Sequence, residues 1–381
     1  MCFCKHLGWP MPFPSDLIPQ AVDRYRRERD RYVKLADRVA EICRSDICDQ
    51  NAIRAQVTFR VKSLKSLEGK LRRYSTRDDR NYKSVDEIFS AIVDPPGVGD
   101  LAGVRIAAYQ HEDCGKLVEH LKDYFRGPVR EILIDEKDRH LQDRRNFYRA
   151  IHAQVWLPEE ELVGIYDNIA DISCEVQICT MIAHVWNEVE HDIGYKPELG
   201  PPSDEEVKLI EMLGHTVRLG DHQISMLLAA NARRVNRKPE PTEPDPRTVP
   251  FRDVHDFVGR THDYEKQAMP DFAKNSGQLF DLLEKLDLNT PLTLGKALEP
   301  FEPSKLREET EKFIEFLAEK DLSELFPNEA SSDLMLLRLF SDRLDKIIEL
   351  HKDKVGRGRG RPTRLYRLAR QYREYTKATS S

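Results

Sequence analysis

The sequence predicts an α+β protein: a mixed β-sheet flanked by helices, followed by a mostly α-helical C-terminal domain. Three observations predict it. Short β-like runs alternate with helical patterns between residues 55 and 180, a proline-rich stretch interrupts the chain near residue 240, and nearly every segment beyond it has helical periodicity.

Residues 20–46 place Val22, Tyr25, Tyr32, Leu35, Val39 and Ile42 near helical spacing among many charges, which predicts an amphipathic helix. Strands are expected at 55–62, 102–109, 129–134, 148–157 and 171–180, with helices at 84–92 and 112–124 between them. The stretch 203–235 reads as a helix, with Ser203 as N-cap after Pro202 and acids in its first turn. Four prolines then fall from Pro239 through Pro246; proline cannot donate within a helix or sheet, so an extended connector and a domain boundary are expected there. Helices follow at 271–286, 304–319, 333–351 and 363–376. The expected organisation is a tail and amphipathic helix (1–50), a sheet domain with trailing helices (51–236), a linker (237–250) and a helical accessory domain with a basic tail (251–381).

The 381 residues suffice for a large domain plus a smaller one, and 40% hydrophobic with 33% charged residues fits a soluble, helix-rich protein. No run of eighteen apolar residues occurs and the N-terminus lacks a secretory apolar core, so no membrane contact and a cytoplasmic location are expected. Seven scattered cysteines predict reduced thiols, and Cys2, Cys4 and His6 lack a second ligand pair at zinc-finger spacing. The net charge of -6 argues against a chain coated for nucleic-acid binding. From Lys352 onward, however, basic residues dominate, which marks the C-terminus as a separate electrostatic object.

Four segments carry residue types suited to chemistry. Alternation in 57–62 turns Arg60 and Lys62 to one face, and the helix beginning near Ser63 puts Ser66 and Lys70 on one side; the group suits a polyphosphate or a solvated basic face. Asp100, before the apolar run 101–106, stands at the mouth of a buried strand, as a ligand for a hard cation or as a turn former beside Gly97 and Gly99. Tyr148, His152 and Gln154 share a strand face, as a base-stacking platform or as ordinary packing. Glu175, Gln177 and Cys179 share another, where Glu175 either faces solvent or takes a proton or shares a metal ion.

In this order the segments resemble the synthetase domain of the RelA/SpoT alarmone enzymes. Arg60, Lys62, Ser66 and Lys70 match the family's Arg-x-Lys-x-x-x-Ser-x-x-x-Lys element, and Asp100 to Arg105 its Asp-(Leu/Ile)-Ala-Gly-(Val/Ile)-Arg element. Lys137-Asp138 through Asn146-Phe147-Tyr148-Arg149-Ala150-Ile151-His152 resembles the acceptor loop, and Glu175 to Thr180, with the following helix carrying Trp186, Glu190-His191 and Tyr195-Lys196, resembles the Glu-Val-Gln-Ile-Arg-Thr region. The resemblance spans roughly residues 53–196.

It implies a nucleotidyltransferase-like mixed sheet and transfer of the β,γ-pyrophosphate of ATP to a ribose 3′-hydroxyl, GDP or GTP being the acceptor in (p)ppGpp synthesis. By it, Arg60, Lys62, Ser66 and Lys70 hold ATP; Asp100 and Glu175 are catalytic and bind Mg2+; Tyr148 stacks on the acceptor base, and Lys137, Asn146, His152 and Gln154 surround the acceptor. Three positions depart from the family: Phe147 for Gly, expected to crowd the loop; Cys179 for Arg, removing a phosphate donor; and Arg139-His140 for Tyr-Ile. The stretch before Arg60 is too short for a hydrolase domain, so a single-function synthetase resembling the small alarmone synthetases is expected. Two alternatives stay open. One is a toxin-type enzyme pyrophosphorylating tRNA 3′-CCA ends or adenine nucleotides, under control of 251–381. The other is an inactive synthetase-like protein binding nucleic acid, since Gly356 to Pro362 contains an Arg-Gly-Arg-Pro core like that of an AT-hook. Self-association, and a protein or nucleic-acid contact through the C-terminal domain, are also open.

Overall fold

The computed structural model describes residues 14, 16–76, 80, 82–90, 96–129, 131–138, 147–194, 200–235, 245–261, 269–356 and 361–379. Cys2, Cys4, His6 and most of the proline-rich stretch lie outside them, as do Arg139, His140, Asn146 and the central arginines of the Gly-Arg run. The chain forms two compact units. One takes the chain up to Arg44 together with Ala55–Asp221; the other takes Ser45–Arg54 and everything from His222. The division therefore falls within a helix and not at the prolines.

In the first unit, α1 (Leu17–Glu41) buries Tyr25, Tyr32, Leu35 and Val39, the stripe its spacing predicts, and lies across the sheet. Five strands follow: β1 (Ala55–Val61), β2 (Ala102–Ala108), β3 (Leu133–Asp138), β4 (Arg149–Val155) and β5 (Cys174–Thr180), in the spatial order β1-β2-β5-β4-β3. Only β2 and β5 run parallel; the other neighbours are antiparallel. Helices α2 (Leu64–Tyr74), α3 (Val85–Phe89) and α4 (Glu112–Tyr124) connect them, and α5 (Met181–Gly194) and α6 (Asp204–Val235) follow β5. The mixed sheet flanked by helices is the expected one. The third strand is displaced from the expected 129–134: a Cβ on Gly127 would lie 1.4 Å from the Glu131 carbonyl oxygen, and pairing begins only at Leu133.

The sheet presents two faces. Val104, Ile106, Val176, Ile178, Ala153 and Val155 are buried on one, because β2 and β5 are central strands whose apolar alternation must be covered. The other carries Gly103, Arg105, Glu175, Gln177 and His152, and at its far end Cys179 and Ala150, which α5 and α6 cover. One half of this face thus stays open.

The second unit is helical, as expected: α7 (Val254–Arg260), α8 (Ser276–Lys285), α9 (Pro291–Leu298), α10 (Pro303–Glu319), α11 (Asp333–His351) and α12 (Arg364–Thr379) surround Phe257, Leu283, Phe313, Leu336 and Phe340. The helix expected over 271–286 begins only at Ser276, because Asn275 adopts a left-handed φ of 62° that ends the preceding turn. The basic C-terminus is no free-standing object either. On α12, Arg364 pairs with buried Asp333 at 3.0 Å and Arg367 with Glu324 at 2.8 Å, Arg373 pairs with Asp345, and Leu365, Leu368 and Ala369 enter the core.

Candidate active site

Strand directions build the donor side of the site. Because β1 is antiparallel to β2, its last residues meet the start of β2, and because β5 is parallel to β2, Glu175 enters at the same end, with Gly103 opposite Glu175 and Arg105 opposite Gln177. Asp100 stands in the turn just before β2. Its carboxylate pairs with Lys62 Nζ at 2.6 Å and Lys70 Nζ at 2.9 Å. Each lysine is fixed by its own element. The Tyr25 hydroxyl of α1 donates to the Lys62 carbonyl at 2.8 Å, and Ser63 caps α2 by accepting from the Ser66 N–H at 3.1 Å, which aims Lys70, two turns in, at the same turn. Upstream, Gly97 is required by space: a Cβ there would lie 2.4 Å from the Ile88 carbonyl oxygen.

Burial alone would raise the Asp100 carboxyl, but Lys70 and Lys62 outweigh it and hold it below the ordinary carboxylate value. Burial would likewise raise Glu175; hydrogen bonding and charge from His152, with Gln177, bring it below its ordinary value instead. Both are carboxylates at neutral pH. A pocket between them is lined by Arg60, Asp100, Gly103, Arg105, Glu175 and Gln177, with Thr58 and Phe59 at its rim. Ser66 lies exposed on the first turn of α2, its hydroxyl accepting from Ser63 at 2.8 Å.

The acceptor side is a side-by-side arrangement on β3, β4 and β5, with Asp135 opposite His152 and His152 opposite Gln177. The Tyr148 hydroxyl lies 2.8 Å from His152 Nε2, and His152 Nδ1 lies 3.4 Å from Glu175 Oε1. Lys137 Nζ approaches the same ring at 3.3 Å. Lys137, Tyr148, His152 and Glu175 therefore converge. Gln154 does not join them: its amide nitrogen donates to the Gly99 carbonyl at 2.9 Å and the Ser173 hydroxyl at 2.7 Å, tying the Asp100 turn to β4. Asn146 lies outside the described residues.

Residues 59–199 match the family described as a region found in RelA / SpoT proteins. They form a RelA/SpoT-type domain. No curated protein matches the chain. Among solved structures, small alarmone synthetase 1 of Bacillus subtilis is similar at 22% identity over 55% of this chain and 99% of that one, with a TM-score of 0.42. A GTP pyrophosphokinase family protein of Streptococcus pneumoniae is similar at 22% over 57% and 98%, also 0.42, and small alarmone synthetase 2 of Bacillus subtilis at 22% over 55% and 98%, 0.39.

Packing brings the two altered positions of the RelA/SpoT-type domain together. Phe147, expected to crowd a loop that lies largely outside the described residues, packs inward. Its ring is buried against Trp186 of α5 and His215 of α6, with centroids 6.1 and 4.7 Å away, and the Arg218 guanidinium lies over it. Cys179 is not on the open part of its face: α5 folds back directly after β5 and buries the thiol in the same cluster as Phe147, Ala150, Ala183 and Val217, and burial pushes it up to about 11. Both departures thus belong to one apolar seam under α5 and α6. Arg105 and Gln177 were read from sequence only as members of the Asp100 and Glu175 segments, without a role of their own. The signal was present, since alternation from Gly103 and Glu175 turns both to the open face, but only the β2–β5 register sets them side by side. There Arg105 pairs with Glu188 at 2.8 Å and approaches His184.

Proposed function

We propose that the RelA/SpoT-type domain is an ATP-dependent pyrophosphokinase that transfers the β,γ-pyrophosphate of ATP to the ribose 3′-hydroxyl of a guanine nucleotide. The observation that carries it is the meeting of Asp100 and Glu175, two carboxylates at one end of adjacent parallel strands, in a pocket lined by Arg60 and Arg105, with Lys62 and Lys70 paired to Asp100. Two arginines in the pocket and two lysines on its carboxylate suit a triphosphate.

The donor set fits Mg2+. Among the described residues no three His, Cys, Asp or Glu side chains cluster to hold a metal alone, whereas Mg2+ is commonly held by one or two carboxylates plus substrate phosphates. Asp100 and Glu175 would hold it, and it would supply charge neutralisation to the phosphates. Arg60, Lys62 and Lys70 bind the phosphate oxygens and keep the chain of ATP extended along β1 and α2. Glu175 accepts the proton of the acceptor 3′-hydroxyl as that oxygen bonds to the β-phosphorus; the bond from the β-phosphorus to the α,β-bridging oxygen breaks and AMP leaves. His152, with Nδ1 3.4 Å from Glu175 Oε1, holds the carboxylate in place, and Tyr148 and Lys137 flank the acceptor.

The test is transfer of label from γ-labelled ATP to GDP, GTP, ADP, ATP or deacylated tRNA. Label on GDP or GTP is expected. Label only on tRNA or adenine nucleotides would replace the guanine acceptor with the toxin-type reading, and no transfer to any acceptor would sink the enzymatic one. The ion pairs that engage Arg364, Arg367 and Arg373 on α12 weigh against these residues serving as an RNA backbone clamp.

A further inference from the structure

Helix α5 sends two side chains to the donor side of the cleft. Ala183 and Trp186 turn into the apolar seam beneath it, whereas His184 and Glu188, four residues apart and so on one side of the helix, meet Arg105 of β2. The Arg105 guanidinium is held from three directions: Nη2 lies 2.8 Å from Glu188 Oε1 and 3.4 Å from Gln177 Oε1, and Nη1 lies 3.4 Å from His184 Nε2. Burial, and then Arg105 itself, lower the His184 pKa below its ordinary value, so the ring is mainly uncharged at neutral pH. Glu188 is therefore the charged partner of this guanidinium among the described residues.

Exposure separates this pair from an ordinary surface ion pair. The Arg105 side chain is 19% exposed and lines the pocket, while Glu188 is 49% exposed at its edge. A carboxylate so wet adds little to stability. What it supplies is orientation: ordering a long, many-rotamer side chain when a ligand arrives costs affinity, and an arginine already held in place avoids that cost. Arg105 stands two residues along β2 from Gly103, about 7 Å along the strand from the Gly103–Glu175 pair. A Cβ on Gly103 would lie 3.7 Å from Arg60 Cγ, so the second arginine lies beside the same wall. We infer that Glu188 is a positioning residue of the donor site: with His184 and Gln177 it holds the Arg105 guanidinium against the wall along which a nucleoside triphosphate lies. Glu188 acts through Arg105 and touches no reacting atom. The inference rests on the proposed ATP site.

The test uses the full chain, following a non-hydrolysable ATP analogue with Mg2+ by calorimetry and pyrophosphate transfer by steady-state kinetics. Glu188→Ala should weaken analogue binding and raise the KM for ATP about five- to tenfold, with kcat and the acceptor KM changed less than about twofold. Glu188→Gln, which keeps an oxygen acceptor for the guanidinium, should lose only about twofold. In an Arg105→Ala background Glu188→Ala should cost nothing further, because its effect passes through the guanidinium. Glu119→Ala, the same loss of charge at an exposed position of α4, is the control and should leave binding unchanged. Tighter analogue binding by Glu188→Ala would mean that the carboxylate merely neutralises Arg105 and would overturn the inference. Equal losses with and without Arg105, or an altered thermal melt with unchanged affinity, would overturn it too. A chain that binds the analogue with the expected pattern of variants yet transfers no pyrophosphate would refute the proposed activity and uphold the positioning role; a wild type that binds no analogue would overturn both.

Discussion

Replacing Gly214 by alanine sets two effects of opposite sign against each other. Gly214 lies inside α6, where helix propensity alone predicts that Gly→Ala stabilises by about 1 kcal/mol. Space predicts the reverse. A Cβ there would lie 2.3 Å from two ring atoms of Phe147 and 2.8 Å from its Cβ, and the ring is already hemmed in by Trp186 and His215. Overpacking of a closed seam costs about 1–3 kcal/mol, and contacts this short against ring and Cβ atoms belong at the upper end. The net is a loss of about 1–2 kcal/mol, or roughly 2–8 °C in melting temperature for a unit of this size. All three tryptophans precede residue 222, so intrinsic fluorescence reports on the first unit during thermal unfolding. The decisive comparison is the same change in a Phe147→Ala background, itself destabilised by about 3–5 kcal/mol. With the ring gone, Gly214→Ala should become neutral or stabilising, a coupling of about 1–3 kcal/mol. Gly69→Ala in α2, where nothing lies within 4 Å, is the control and should stabilise. Equal effects of Gly214→Ala in both backgrounds would refute the burial of Phe147 against α6.

Three further outcomes are expected. Glu175→Gln should lower pyrophosphate transfer by about 10²- to 10⁴-fold while nucleotide binding, followed by calorimetry, persists; unchanged turnover would remove Glu175 from the reaction. The folded-state carboxyl of Asp100 is held below its ordinary value of about 3.9, so its stabilisation is complete above that pH and is lost as pH falls through the lower folded value. Urea melts of the wild type and Asp100→Asn should accordingly differ at neutral pH and converge on acidification below about pH 4, and a constant gap would contradict the Lys62 and Lys70 pairing. Arg364→Met strips the buried Asp333 carboxylate of its charged partner and should destabilise the second unit by about 3–5 kcal/mol, read as faster amide hydrogen exchange along α11.

Strands β1, β2, β4 and β5 and most of the helices were legible because their burial follows local periods of two and 3.6 residues, which any window of sequence displays. The order of the motif residues likewise pointed to Arg60, Lys62, Lys70, Asp100 and Glu175. The start of β3 was not legible, because a close approach between Gly127 and Glu131 is a steric fact between two backbones. The delay of α8 to Ser276 came from a single left-handed residue, Asn275, in a stretch whose apolar spacing already looked helical.

By itself the sequence determined which side chains share a strand face or a helix side, since that follows from covalent geometry and chirality alone. Tertiary structure decided which of those faces meet. It set Arg105 beside Gln177 through a parallel register, tied Gln154 to the Asp100 turn, and buried Phe147 and Cys179 in one seam beneath α5 and α6. These outcomes depend on contacts between residues tens of positions apart, where close packing and not local preference selects the arrangement.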